Sequence, residues 1–313
     1  MKIKSKRRRR LIVAVPRKSA SQQRPARRAI AATSRKSSRR SSGRTAAPRR
    51  QSLRKTGRWK RRGTLSVIIS ARNEQKTLLP LLKQVSRLQP MEIIVVLNGC
   101  SDNSFRQARL SREAMIIHLP DSAGHDVGRA IGAKLSRGDI LLFLDGDMVI
   151  PAPLLAPFPA AVDNGVDVAL NDLNPLLPPF RLSDDVTRSK MFLNLALGRG
   201  DLGVSSMTAV PHALSRHALE KIGYQELMVP PKAQARSILG RLQVEQVGTV
   251  DVIKQNRLRR TNIGSGNVVE QLITGDHAEA LHEVLSRRDP GSLVPEEVLW
   301  EKRRQMAVWR NGI

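Results

Sequence analysis

One cysteine, Cys100, stands alone in 313 residues. An intramolecular disulfide needs two, so a disulfide-stapled scaffold is excluded, and a lone thiol fits a reducing compartment. Long apolar runs are missing as well. The only one near the N-terminus is Leu11 to Val15, five residues, shorter than the core of a signal peptide. Nowhere does the chain reach about eighteen consecutive apolar residues, so no transmembrane segment is expected. The expectation is a soluble, cytoplasmic protein with scope for peripheral attachment at the inner face of the membrane.

Acid is missing from one part of the chain. Residues 1–62 hold 25 Lys and Arg and no Asp or Glu, leaving 29 bases and 27 acids for residues 63–313. The net charge of +27 is therefore almost entirely that of an N-terminal segment. Mixed with Ser, Ala, Gln and Pro, its bases offer too little apolar surface to offset the entropy of ordering, so residues 1–62 are expected to be a disordered polycation. Such a segment suits an anionic membrane surface or another polyanion. Trp59 is its only aromatic, so base stacking has little to work with. The remaining 251 residues suffice for a sizeable core.

In that body, apolar runs of strand length alternate with helical patterns. Leu65–Ala71 is a β-branched run followed by Arg72-Asn-Glu74, and leucines recur at helical spacing from about Gln75 to Pro90. Glu92–Leu97, Ala114–Leu119 and Asp139–Leu144 read as three more strands. Asn98–Ser104 is a polar turn before a short helix from Phe105 to Leu110, and a helix from about His125 to Ser136 separates the last two strands. Continuous apolar strands alternating with helices predict an α/β fold, a mostly parallel sheet with helices on both faces. Asn267–Arg288 and Glu296–Trp309 are read as closing helices, a C-terminal helical extension. In such sheets ligands bind at the carboxyl ends of the strands. Those ends carry Asn73 and Glu74, then Asn98 to Asp102, then Asp121 to Gly124, then Asp145-Gly146-Asp147.

Two carboxylates flanking a glycine directly after a buried strand can present oxygens to one hard divalent cation, which can bridge nucleotide phosphates. An acidic turn closing a strand would look the same in isolation. Taken in order, Leu65–Glu74, Ile94–Asp102, Gly128–Lys134 and Gly138–Asp147 resemble the successive blocks of the family 2 glycosyltransferases, which have a GT-A type, Rossmann-like fold. The resemblance spans about 85 residues, from Leu65 to roughly Pro151.

It implies a nucleotide-binding half, residues 63–151, and an acceptor half with closing helices, residues 152–313. It implies a nucleotide-sugar donor, with Ala71, Asn73, Glu74, Asn98, Asp102 and Asp145 as nucleotide-binding residues, and Mg²⁺ or Mn²⁺ held by Asp145 and Asp147. For Asn73, Glu74 and Asp102 helix capping is the competing reading. Where many relatives carry two acids after the second strand this chain has Leu97-Asn98, which leaves the donor base open. The acceptor is an unidentified carbohydrate or lipid-linked hydroxyl.

The Glu-Asp pair that supplies the general base in many relatives is missing after Ile222–Leu227, where the chain reads Met228–Ala233. Asp276, next to His277, and Glu226 are the catalytic candidates. Asp276 is preferred because the histidine beside it could join a metal shell, with a helix N-cap as the alternative. Ser205, Ser206 and His212 are acceptor candidates, although for His212, which follows a proline in an apolar stretch, a buried core histidine is the better reading. Arg257, Arg259 and Arg260 before Thr261–Gly266 suit a loop closing over a diphosphate. The expected reaction is inverting, metal-dependent glycosyl transfer. A catalytically degenerate polyanion- or RNA-binding protein and a nucleotidyltransferase are the alternatives, although Ala71–Glu74 lacks the glycine-rich loop of the latter.

Overall fold

The computed structural model describes residues 62–177, 183–252 and 267–286, together with Arg304. The basic segment up to Arg61, the arginines Arg257, Arg259 and Arg260 with the loop Thr261–Gly266, and, Arg304 apart, the helix expected over Glu296–Trp309 lie outside the described residues.

The first half is a strictly alternating series: β1 (Leu65–Ala71), α1 (Leu78–Ser86), β2 (Glu92–Asn98), α2 (Ser104–Ala108), β3 (Ala114–Leu119), α3 (Val127–Leu135) and β4 (Ile140–Asp145). The second half holds α4 (Ala152–Leu155), α5 (Pro157–Asp163), β5 (Val168–Asn171), α6 (Asp185–Ala196), β6 (His212–Ser215), α7 (Arg216–Ile222), α8 (Pro230–Leu239), β7 (Val244–Gly248) and α9 (Val268–Ser286). Seven strands form one sheet in the order β3-β2-β1-β4-β6-β5-β7. β1 pairs in parallel with β2 and β4, and β2 with β3. β6 runs antiparallel between β4 and β5, and β5 pairs in parallel with β7. The mostly parallel α/β sheet is therefore as expected.

Both faces of the central strands are covered, which explains their continuous apolar runs. Val67 and Ile69 of β1 point to one side, with Leu78, Leu81, Leu82 and Val85 of α1 and Phe158 of α5. Ile68 points to the other, with Ala130 and Ala133 of α3 and Phe143 of β4. β3 is one edge strand, and Met115 and His118 on it are exposed. Helix α1 starts three residues later than its apolar spacing suggests. Thr77 occupies its N-cap position, and the Thr77 and Leu78 amides close a turn on the Glu74 carbonyl.

Helix α3 lies close against β1 because Gly132 faces it. A Cβ there would run into the Ile68 side chain. Gly132→Ala is accordingly expected to destabilise the fold by about 1–3 kcal/mol, lowering Tm by about 2–4 °C for each kcal/mol, as measured by thermal unfolding followed by circular dichroism.

Candidate active site

The carboxyl ends of β1 to β4 deliver four loops to one edge, and polar side chains knit these loops together. After β1, Asn73 takes the left-handed backbone region, with φ of 60°, which Asn tolerates better than most residues. Its Oδ1 accepts the Ser101 amide at 2.8 Å, and its own amide donates to Cys100 Sγ at 3.4 Å. Asp102 accepts the Gln75 amide at 3.1 Å and the Ser104 amide at 2.9 Å. Burial pushes its acid constant up, but hydrogen bonds from Ser104 and Gln75 outweigh that and hold it below the ordinary range. Glu74 is buried, and its amide donates to Ser104 Oγ at 2.7 Å. The capping reading thus fails for Asn73, since Thr77 holds that position. For Asp102 it holds in substance, because the carboxylate meets the first turn of α2.

Asn98 accounts for the missing acid after β2. Its Nδ2 donates to the Gly124 carbonyl at 2.5 Å and its Oδ1 accepts the Ala123 amide at 2.8 Å, so the amide grips the loop after β3 from both sides. A carboxylate could accept but not donate. The Asn98 side chain is therefore used within the protein. Asn98→Asp is expected to lower stability by about 1–3 kcal/mol and to increase proteolysis of residues 121–124; an unchanged denaturation midpoint would show that the grip contributes nothing.

The third and fourth loops meet through Arg129, 4% exposed on α3. Its guanidinium lies 3.1 Å from Asp126 and 3.2 Å from Asp145, and it donates to the Met207 carbonyl at 3.3 Å. Burial acts against its charge, but Asp126 and Asp145 outweigh it and raise its acid constant. Nothing in its own residue type assigns Arg129 a role in the sequence. The legible signal was Asp126 three residues earlier, on the same face of the helix.

In Asp145-Gly146-Asp147 the glycine is required by contact, since a Cβ at Gly146 would lie 2.6 Å from that of Ala71. Thr77 Oγ1 donates to its carbonyl at 2.6 Å. Asp147 is half-buried, and its acid constant is pushed up to about 6 by burial and then by the charge of Asp145, with His125 and Arg129 opposing. Two oxygen donors that repel each other suit a hard divalent cation, whose charge would relieve both. Among the described residues no three His, Cys, Asp or Glu side chains are grouped to hold a metal.

Asp276 lies in the middle of α9 and caps nothing. Its acid constant is raised to about 6 by burial and by the charges of Asp126 and Glu279, against the pull of His125. It therefore belongs to the electrostatic surroundings of the loop after β3. His277 does not follow it there. It is buried, its Nδ1 lies 2.6 Å from the Ile273 carbonyl, and burial lowers its acid constant to about 4. The expectation that His277 joins a metal shell is thus corrected. Glu226 pairs with Arg236 at 2.9 Å and Lys232 at 3.6 Å, cations that also pair with Glu283 and Glu279 of α9. Its carboxylate is held by two cations of α8, which weighs against a catalytic role.

The three acceptor candidates are buried, so direct acceptor contact is corrected for each. Ser205 Oγ accepts from Gln246 at 2.8 Å, and its carbonyl accepts from Asn194 at 3.1 Å and Gln234 at 3.2 Å. Ser206 Oγ accepts the Thr208 amide. His212 stacks on Phe143 with ring centroids 5.0 Å apart, and burial lowers its acid constant to about 3. In the second half nothing in the sequence marks Lys190 on α6. Burial lowers its acid constant to about 8, Asp184 opposes this, and the charge of Arg129 adds to it.

A mostly parallel sheet of this order, with acids on the loop after β4, defines a GT-A type glycosyltransferase fold. Residues 66–173 match the model of glycosyl transferase family 2. The chain is 28% identical over 151 residues to glucosyl-3-phosphoglycerate synthase of Mycolicibacterium paratuberculosis, covering 45% of this chain and 40% of that protein. It is 31% identical over 106 residues to the synthase of the same name from Mycobacterium tuberculosis, covering 30% and 32%. The chain thus spans less than half the length of these relatives. Crystal structures of the Mycobacterium tuberculosis synthase share the fold. The complex with Mn²⁺, UDP and phosphoglyceric acid gives a TM-score of 0.54 at 18% identity, over 73% of this chain and 81% of that one. The complex with Mn²⁺, UDP-glucose and phosphoglyceric acid gives 0.55 at 18% identity, over 73% and 82%.

Proposed function

We propose that this chain transfers a hexosyl group from a nucleoside-diphosphate sugar to the hydroxyl of a small anionic acceptor, with Mg²⁺ or Mn²⁺ held by Asp145 and Asp147. The observation that carries this reading is the meeting of those two carboxylates with the interlocked loops of β1 to β3 at one sheet edge, in a chain that matches the family 2 model. UDP-glucose and phosphoglycerate, present in the structural neighbours, are the first donor and acceptor to try.

A cation held by Asp145 and Asp147 would supply Lewis-acid charge to the departing diphosphate. Ala71, Asn73, Glu74 and Asp102 frame the base and ribose, and Asn98 shapes the loop beside them. Arg129 fixes the direction of Asp145. Lys190 offers positive charge to an anionic acceptor from the α6 side. Asp276 takes the acceptor proton; with an acid constant of about 6 it is ionised at neutral pH and still basic enough to act. The basic segment 1–62 tethers the enzyme to anionic surfaces.

Thermal shift with UDP-glucose, with and without Mn²⁺, tests the donor site, because a ligand that binds the folded state raises Tm by mass action. No shift with any nucleotide sugar would refute the reading. Asp276→Asn is expected to lower kcat about a hundredfold or more with KM little changed, and the wild-type rate should fall below about pH 6 as the base becomes protonated. Proton NMR of the first product decides the stereochemistry. Inversion agrees with Asp276 as base, and retention removes it from that role.

A further inference from the structure

The four parallel strands β1 to β4 have two ends, and the chemistry of their connections differs sharply between them. At the carboxyl end Glu74, Asp102, Asp121, Asp126, Asp145 and Asp147 outnumber the exposed bases Arg72 and Lys76, and among the described residues no large apolar side chain is exposed in those connections. The amino end is the reverse. There Arg62, Arg87, Arg109, Arg112 and Arg137 are all exposed. Between them lie three exposed apolar side chains, Met91 at 47%, Leu110 at 61% and Leu135 at 44%.

The acids at this amino end are drawn into hydrogen bonds within the fold. Glu113 accepts from Ser86 Oγ, Asp139 from the amide and hydroxyl of Thr64, and Asp163 from the amides of Arg62 and Gly63. Buried Glu92 accepts from Ser66 Oγ and the Arg137 amide. These acids keep their charge, and Glu92 also pairs with the Arg137 guanidinium at 3.5 Å, but the five arginines stay exposed beside them, so the near-neutral total of residues 63–313 is unevenly spread between the two edges.

We propose that the amino-end edge of the sheet is a docking face for an anionic phospholipid bilayer, holding the enzyme with its acidic active-site edge turned to the aqueous phase. Arginine forks match phosphate oxygens, and exposed Met and Leu between them suit insertion at the boundary of headgroups and acyl chains. The described chain begins on this edge at Arg62, and the 61 residues before it carry 24 bases and no acid. The opposite edge would be repelled by the same surface, which fixes the orientation. Base-stacking RNA is disfavoured, because this edge offers Met and Leu where single-strand binders present aromatic rings.

The proposal rests on the reading of residues 1–62 as an anionic-surface tether and adds a face and a direction to it. Strands of seven residues set the active site roughly 20 Å from the docked edge, so the acceptor arrives from water. That favours a soluble anionic acceptor over a lipid-linked one.

The test uses the full chain with Cys100→Ser and one new thiol, Leu110→Cys on the docking edge or Ser101→Cys on the opposite edge. Each is labelled with an environment-sensitive fluorophore and mixed with vesicles of phosphatidylcholine with or without phosphatidylglycerol. Co-sedimentation with the phosphatidylglycerol vesicles, together with a blue shift at position 110 and none at 101, is expected. Co-sedimentation with no shift at 110, or with equal shifts at both, overturns the face and leaves the tether standing. Failure to co-sediment refutes the tether and the face together. Displacement from the vesicles by poly(U) at physiological salt, again without a shift at 110, would assign the charge to RNA and overturn the proposal. In the full chain, Arg87→Gln with Arg109→Gln and Arg112→Gln should weaken vesicle binding about fivefold per arginine and leave transfer to a soluble acceptor unchanged; undiminished vesicle binding would count against the face.

Discussion

Asp147→Asn is expected to lower metal-dependent kcat/KM by about three orders of magnitude or more, since the charge that a bound cation offers a leaving diphosphate amounts to several kcal/mol. The same variant should not be less stable. In the wild type burial and Asp145 raise the Asp147 acid constant to about 6, so the folded state prefers the protonated form. The destabilisation from ionising it grows as pH rises from about 4 to 6 and is complete above that. Without divalent cations, Asp147→Asn should therefore melt above the wild type at pH 7.5, by about 1–2 kcal/mol of stability after allowance for solvent screening. The two proteins should melt together below pH 4. Added Mn²⁺ should raise Tm for the wild type and not for the variant. Transfer that survives the substitution, or a wild type indifferent to Mn²⁺, would remove Asp147 from the site.

The second large effect concerns stability. Arg129→Met leaves Asp126 and Asp145 without their common counter-ion and the Met207 carbonyl without a donor. Removing one partner of a buried ion pair typically destabilises by 3–5 kcal/mol. Asp145 is partly exposed, with 34% of its side chain accessible, so about 3 kcal/mol and a fall in Tm of about 6–12 °C are expected. Adding Asp145→Asn should restore part of this, because the two changes act on one interaction. Strict additivity in a double-mutant cycle by urea denaturation would show that Arg129 acts chiefly through Asp126.

The first half of the fold was legible because each strand is a long apolar run ending in turn chemistry. Leu65–Ala71, Glu92–Asn98 and Ile140–Asp145 are six or seven residues each, and their loops fall at one edge by the rule of parallel sheets. The second half was not. β5 and β6 have four residues and β7 has five, too few to establish a period, and nothing in the sequence announces that β6 inserts antiparallel between β4 and β5. Within the site, carboxylates after strands could be found from sequence, whereas their partners could not. Ser205, Ser206 and His212 resembled an acceptor surface because polarity is visible in sequence and burial is not. In the fold all three are buried. Asp276 and His277 are adjacent in the chain, yet helical geometry turns one toward Asp126 and buries the other.

Cys100 lies where the first two loops join, its sulfur 3.6 Å from the Ala71 carbonyl and 3.4 Å from the Asn73 amide. Because the chain has no other thiol, an alkylating reagent has a single target. Its reaction rate is therefore a clock for the separation of these loops, running slowly while the joint is shut and faster each time it opens, without any mutation or engineered reporter.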